Sequence, residues 1–141
     1  TETASGVRTW LCTRCGDNRT EAIGPWPNPF VDVTQERYYY TPVRWAADAG
    51  VTAGVDSTHF APGSTCTRGQ VVTFLWRAEG CPTGVGTNPF ADVERGRFYY
   101  DAVLWAAKAG ITTGVDATHF RPNQSCTRGQ VATFLYREFA E

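Results

Sequence analysis

The sequence predicts an all-α fold of tandem helix–loop–helix repeats, and three observations lead to this prediction. Residues 28–80 align with residues 88–140 without a gap and share 32 identities in 53 positions. Each copy carries an apolar stripe at helical spacing, and residues that start and stop helices flank its two predicted helices. A repeat of about 50 residues buries little surface alone, so we expect the two copies to share a core.

Four segments follow from this repeat: a non-repeated head (1–27), repeat one (28–80), a linker rich in Gly and Pro (81–87) and repeat two (88–141). The head has neither the basic start nor the apolar run of a signal peptide, so we interpret the chain as a mature fragment of a longer protein. Its Cys12 and Cys15 are spaced as in a zinc knuckle, within a segment that we expect to be irregular. Because no second ligand pair follows, a zinc half-site, a disulfide and a free thiol pair stay open, and we predict no metal site.

The first helix of repeat one is predicted to begin at Thr41, an N-cap residue, with Pro42 in the first helical position. Asp101 is expected to take the N-cap role in repeat two. Gly50 and Gly110 should end these helices, because glycine readily adopts the left-handed conformation that follows a helix.

The second helix is predicted to begin after a capping box, Thr67 with Gln70 in repeat one and Thr127 with Gln130 in repeat two. The helix that follows is amphipathic in both copies. Its expected apolar stripe comprises Val71, Phe74, Leu75 and Ala78 in repeat one, and Val131, Phe134, Leu135 and Phe139 in repeat two.

Arg68 and Gly69, repeated as Arg128 and Gly129, are not explained by the helix itself. A cation in the first turn opposes the helix dipole, and a glycine inside a helix costs up to about 1 kcal/mol relative to Ala. Close backbone approach would explain the glycine. An anionic ligand held by the guanidinium, or a structural salt bridge, would explain the arginine, and the sequence leaves both open. The candidates for the salt bridge are Asp32 and Asp56.

The aromatic clusters at 38–40 and 98–100 are expected in the core, with one exposed tyrosine per repeat as a platform for sugars. Phe60 and Phe120 should pin the loop between the helices onto that core, and Asp32 should cap a turn.

Composition and the histidines exclude several classes of function. His59 and His119 lie in equivalent loops without a neighbouring cysteine or nucleophile, so we predict no catalytic site and no cofactor. A net charge of −1 and a pI near 6.1 predict no nucleic-acid partner. The apolar stretches are short and interrupted, which predicts no membrane insertion.

Together these motifs resemble the S-layer homology (SLH) family over both repeats. The residues that carry the resemblance are Phe30-x-Asp-Val, Trp45-Ala-Ala-x-Ala-Gly50, Val51-x-x-Gly54, Phe60-x-Pro62 and Thr67-Arg68, in this order and with counterparts in repeat two. The resemblance implies helix–loop–helix modules, usually in threes, that assemble into a three-pronged pseudo-trimer. It implies non-covalent anchoring of a secreted protein to acidic, often pyruvylated, polysaccharide at the bacterial cell surface.

Carried over by position, the resemblance assigns ligand recognition to Arg68 and Arg128, with Gly54 and Gly114 in contact range in grooves between prongs. Two departures from the family pattern bear on this. Gly-Gln replaces the family's Ala-Glu after the arginine, and only two modules are present, so further repeats or another copy of the chain are candidate partners. The alternative function is a structural or assembly module that mediates oligomerisation or protein–protein contacts.

Overall fold

A computed structural model describes residues 6–11, 18–23, 26–84 and 86–140, with the two early segments described as backbone only. The chain divides into two compact units, Thr1–Pro62 and Gly63–Glu141. Strands β1 (Gly6–Leu11) and β2 (Asn18–Ile23) and helix α1 (Tyr40–Asp48) belong to the first unit. Helices α2 (Arg68–Ala78), α3 (Tyr100–Lys108) and α4 (Arg128–Phe139) belong to the second. The repeats are all-α, as predicted, and the pseudo-trimer stays a prediction.

The head contains an antiparallel strand pair, which corrects the expectation of an irregular segment. Strands β1 and β2 pair in a register that places Gly6 opposite Ile23 and Leu11 opposite Asn18. The sequence contains the reason, because Val, Thr, Trp, Leu and Ile, which favour strands, are concentrated in these two segments. Cys12 and Cys15 lie outside the described residues.

Helices α1 and α3 begin earlier than predicted and use no side-chain cap. Their N-cap residues are Tyr39 and Tyr99, so Thr41 and Asp101 lie inside the helices. Pro42 is tolerated at the third helical position because the first N–H groups of a helix have no intrahelical partner.

The predicted helix ends are confirmed. In repeat one, Gly50 has φ of +75° and its N–H donates to Ala47 O, while Val51 N–H donates to Ala46 O. These two bonds form a Schellman motif. Gly110 repeats this arrangement in repeat two.

The capping boxes are also confirmed. Thr67 Oγ1 accepts from Gln70 N–H at 3.2 Å, and Gln70 Oε1 accepts from Thr67 N–H at 2.9 Å. Thr127 and Gln130 form the same pair of bonds before α4. Local sequence therefore sets where the second helix of each repeat begins.

An aspartate fixes the loop between the helices of each repeat, as the turn-capping interpretation of Asp32 predicts. Asp32 accepts from Phe60 N–H at 2.9 Å and Ala61 N–H at 2.8 Å. Asp92 accepts from the corresponding N–H groups of Phe120 and Arg121. Phe120 is fully buried, which confirms its role as a plug, whereas Phe60 is half-buried against Phe30.

The core of the second unit forms where α2 packs against α3. The start of α2 binds the loop of repeat two, because Arg68 N–H donates to Gln124 O at 2.8 Å and Gly69 N–H to Pro122 O at 2.9 Å. A Cβ at Gly69 would come within 3.0 Å of Tyr99 Cδ1 and 3.1 Å of Pro122 O. Close backbone approach is therefore the reason for Gly69. The main core residues are Val72, Ala102, Val103, Leu104, Ala106, Ile111 and Phe120.

Candidate functional site

An open groove of about 620 Å³ lies in the second unit, between the start of α4, the loop after α3 and the Arg68 side chain. It brings together two of the sequence-predicted site residues, Arg68 and Gly114. The other lining residues are Thr112, Thr113, Val115, Thr127, Gly129, Gln130, Thr133, Phe134 and Arg137.

Arg68 lines this groove with only 3% of its surface exposed. Its Nε donates to Phe120 O at 2.8 Å. Its guanidinium lies over the rings of Phe120 and Phe134, at 4.7 Å and 5.4 Å from their centroids. The aromatic faces therefore supply much of the stabilisation of this buried cation.

No carboxylate of the described residues forms a salt bridge with Arg68. Burial lowers the pKa of Arg68 below the ordinary value of a guanidinium, and nearby Cys126 and Asp92 oppose this effect. The two aspartates that the sequence offered as salt-bridge partners bind local groups instead. Asp32 accepts from the backbone N–H groups of its loop, and Asp56 accepts from the N–H and the hydroxyl of Thr58. A buried cation without a paired anion is costly unless other groups stabilise it, and here Phe120 O and the two aromatic rings do so.

The groove is cationic and rich in hydroxyl groups. Arg137 supplies a second guanidinium, held by a bond from Nη1 to Ile111 O at 3.1 Å. None of the described lining residues is acidic, and four of them are threonines. Thr112 Oγ1 accepts from Gly114 N–H and Thr127 Oγ1 from Gln130 N–H, which leaves both O–H groups able to donate. Such a surface suits a ligand that carries both an anion and hydroxyl groups.

Gly114 and Gly54 shape their loops in the same way, but only Gly114 lines this groove. Both have positive φ, +84° and +79°. A Cβ at Gly114 would lie 2.6 Å from His119 O, and one at Gly54 would lie 2.4 Å from His59 O. Glycine is therefore required for the turn in each repeat, independently of any ligand.

Arg128 is exposed and does not line the groove, although its sequence context matches that of Arg68. The structure thus separates the two arginines that sequence reasoning treated as equivalent. Sequence reasoning also missed Arg137, because a basic residue in the last turn of a helix is expected for its favourable interaction with the dipole.

The remaining candidates are not among the lining residues of this groove. Tyr38 is exposed, as expected for repeat one, whereas in repeat two the exposed ring of the cluster is Phe98 and not a tyrosine. His59 and His119 are exposed, and each pairs through Nδ1 with Asp56 or Asp116. Among the described residues there is no group of three or more metal-ligating side chains, and no helix has the length and hydropathy needed to cross a membrane.

Comparisons with known proteins agree with the repeat structure. The family model of the S-layer homology domain matches residues 29–72 and 89–132, which together make up more than half of the chain. The surface-layer 125 kDa protein of Lysinibacillus sphaericus is 35% identical over 97 residues, which is 69% of this chain and 8% of that protein. An endoglucanase of Bacillus sp. (strain KSM-635) is 31% identical over 111 residues, 79% of this chain and 12% of the enzyme.

A cell surface protein of Thermoanaerobacter kivui is 27% identical over 114 residues, 77% of this chain and 15% of that protein. The chain thus spans less than a sixth of the length of these relatives. Enzymes and surface-layer proteins share the matched region, so the similarity follows the repeats and not one catalytic activity. With two family-model matches on the two structural repeats, the chain belongs to the S-layer homology domain family.

Proposed function

We propose that this chain is a non-catalytic anchoring module that binds acidic polysaccharide of the bacterial cell wall in the groove of repeat two. The observation that carries the proposal is a groove with two guanidinium groups, from Arg68 and Arg137, and no acidic residue among its described lining. Surface-layer and cell-surface proteins among the relatives support the location.

The groove offers a distinct contact to each part of an acidic sugar. The guanidinium of Arg68 attracts the carboxylate of a substituent such as a pyruvyl ketal, because both groups leave bulk water at this site. Thr112 and Thr127 donate to ring hydroxyls of the sugar. Arg137, which is more exposed, attracts the ligand from solvent.

Substitution of Thr113 provides the sharpest test of this groove as the ligand site. Thr113 is exposed, lines the groove and takes no part in the hydrogen bonds that stabilise the described residues of its loop. Thr113→Glu places a negative charge beside the proposed anion site, and Thr113→Lys places a positive charge at the same point. Binding to purified wall sacculi is measured by co-sedimentation for both variants and the wild type. We expect Thr113→Glu to lose at least about tenfold in affinity and Thr113→Lys to retain or increase it.

Two controls make the result specific. Ala53→Glu adds the same charge at the equivalent exposed loop position of repeat one, which is not a lining residue, and should bind like the wild type. Sacculi stripped of their secondary polysaccharide should bind none of the proteins. Equal retention of Thr113→Glu and Thr113→Lys would overturn the assignment of the ligand to this groove.

A further inference from the structure

The start of α4 and its Leu135 are exposed, whereas the corresponding residues of α2, Arg68, Gly69 and Leu75, are buried. In α2, Arg68 is 3% exposed and Leu75 is 8% exposed. In α4, Arg128 is exposed, and Leu135, Tyr136 and Phe139 are 42%, 71% and 58% exposed. We call this set, Arg128, Gly129, Leu135, Tyr136 and Phe139, the α4 face.

Within the described part of the chain, no neighbouring group requires a glycine at position 129. A Cβ there would meet only Thr127 Oγ1, at 3.9 Å, whereas a Cβ at Gly69 would crowd Tyr99 and Pro122. A glycine in a helix costs up to about 1 kcal/mol relative to Ala, and in α2 close docking offsets that cost. The same sequence in α4 therefore points to the same kind of docking, onto a surface that the described residues of this molecule do not supply.

Repeat one carries the surface that would receive it. In repeat two, α2 docks on the turn at 120–122, with Phe120 and Pro122 buried. Trp105 of α3, which packs against α2, is only 9% exposed. The corresponding residues of repeat one are more accessible: Trp45 is 47% exposed, and Tyr39, Phe60 and Pro62 are half-buried. We call these four the repeat-one face.

We propose that the α4 face of one molecule docks on the repeat-one face of a second copy of this chain, in a head-to-tail contact. The contact between the start of α2 and the loop of repeat two, which we call the internal contact, supplies the expected geometry. In the same way, Gly129 N–H donates to Pro62 O of the second copy, and Arg128 Nε donates to its Phe60 O. Leu135, Tyr136 and Phe139 are covered at the same time. This inference does not rest on the glycan ligand proposed above.

A second copy is the favoured occupant because this chain carries both halves of the contact on separate repeats. The residues of the two halves match those of the internal contact at equivalent positions, Thr67–Val71 with Thr127–Val131 and Phe120 with Phe60. A contact between unlike surfaces does not use up both faces of a molecule, so it generates closed rings or open chains of copies.

Sedimentation equilibrium with a thiol reductant present tests the proposal on this chain. We expect the mean mass of the wild type to rise from that of a monomer as the concentration increases from low micromolar to near-millimolar. Arg128→Glu on the α4 face and Trp45→Glu on the repeat-one face should each shift the association midpoint at least tenfold higher. Arg95→Glu makes the same charge change at an exposed residue on neither face and should behave like the wild type.

A mixing experiment distinguishes a head-to-tail contact from any other kind. Each variant retains one intact face, so a mixture of Arg128→Glu and Trp45→Glu should form a one-to-one complex at concentrations where neither variant associates alone. Circular dichroism checks that both variants are folded. A wild type that stays monomeric at all concentrations, or a mixture that associates no better than the separate variants, would overturn the proposal.

Discussion

Replacing Gly69 and Gly129 by alanine tests directly whether one sequence has two environments. The helix propensity term is the same at both positions, because each glycine is the second residue of its helix. Alanine should gain up to about 1 kcal/mol at either site. At Gly69 the new methyl group would lie 3.0 Å from Tyr99 Cδ1 and 3.1 Å from Pro122 O. Overpacking of this kind costs about 1–3 kcal/mol.

We therefore expect Gly129→Ala to be neutral or stabilising by up to about 1 kcal/mol, and Gly69→Ala to be less stable than Gly129→Ala by about 1–3 kcal/mol. Pro122 O cannot move away easily, because it also accepts the Gly69 N–H at 2.9 Å. Both glycines lie in the same compact unit, so one unfolding transition reports on both. Urea unfolding of dilute protein, followed by circular dichroism, gives the difference.

An equal effect at the two positions would refute the reasoning. In that case Gly69 would not be needed for close approach, and the docking contact of α2 would lose its steric basis. A stabilised Gly69→Ala with unchanged urea dependence would be the clearest form of that result.

Three further predictions follow from individual side chains. Arg68→Ala should destabilise the fold by about 2 kcal/mol or more, because its packing on two aromatic rings and a buried hydrogen bond are lost. Arg128→Ala should change the free energy of unfolding by less than about 0.5 kcal/mol, because Arg128 is exposed. Thermal unfolding of the two variants measures both effects. Hydrogen bonds, first from Thr118 N–H and then from His119, lower the pKa of Asp116 from 3.8 to about 2. The folded-state pKa is below the unfolded value, so this stabilisation is present above about pH 4 and is lost as the pH falls toward 2. In the Asp116→Asn variant, the free energy of unfolding should therefore decrease less steeply between about pH 4 and pH 2 than in the wild type. Cys66 and Cys126 lie opposite each other, because Cys126 N–H donates to Cys66 O at 2.9 Å beside the Thr67–Ser125 bridge. Oxidised glutathione should therefore take two electrons and two protons from the two thiols, which yields an intrachain disulfide and two molecules of reduced glutathione. Peptide mapping that finds only disulfides between chains would contradict this prediction.

Local interactions were the predictable part of this fold. The capping boxes at Thr67 and Thr127 and the helix ends at Gly50 and Gly110 depend on residues within a few positions of each other, so the sequence contains all their determinants. The predicted start of α1 was wrong, and the reason is also local. Proline fits any of the first helical positions, so its presence does not specify which one it occupies.

Interactions between repeats could not be predicted from the same patterns. Arg68 and Arg128 have identical neighbours in sequence, yet one is buried between two aromatic rings and the other is exposed. The difference arises because the loop of repeat two covers the start of α2. The sequence position of Arg137 indicates an ordinary surface residue, and only the structure shows that it lines the same groove as Arg68.

The groove and the α4 face adjoin each other, and this adjacency allows the two proposals to be separated. Gly129 belongs to both, whereas Thr113 lies only in the groove and Arg128 only on the α4 face. A head-to-tail assembly presents several grooves to one wall, so it binds by avidity as well as by the affinity of each site. Arg128→Glu should therefore bind a short soluble fragment of wall polysaccharide with the affinity of the wild type, while its retention on intact sacculi falls at least about tenfold. Thr113→Glu should lose both. If Arg128→Glu also loses the soluble fragment, Arg128 contacts the ligand itself, and the assignment of this arginine to the contact between copies is wrong.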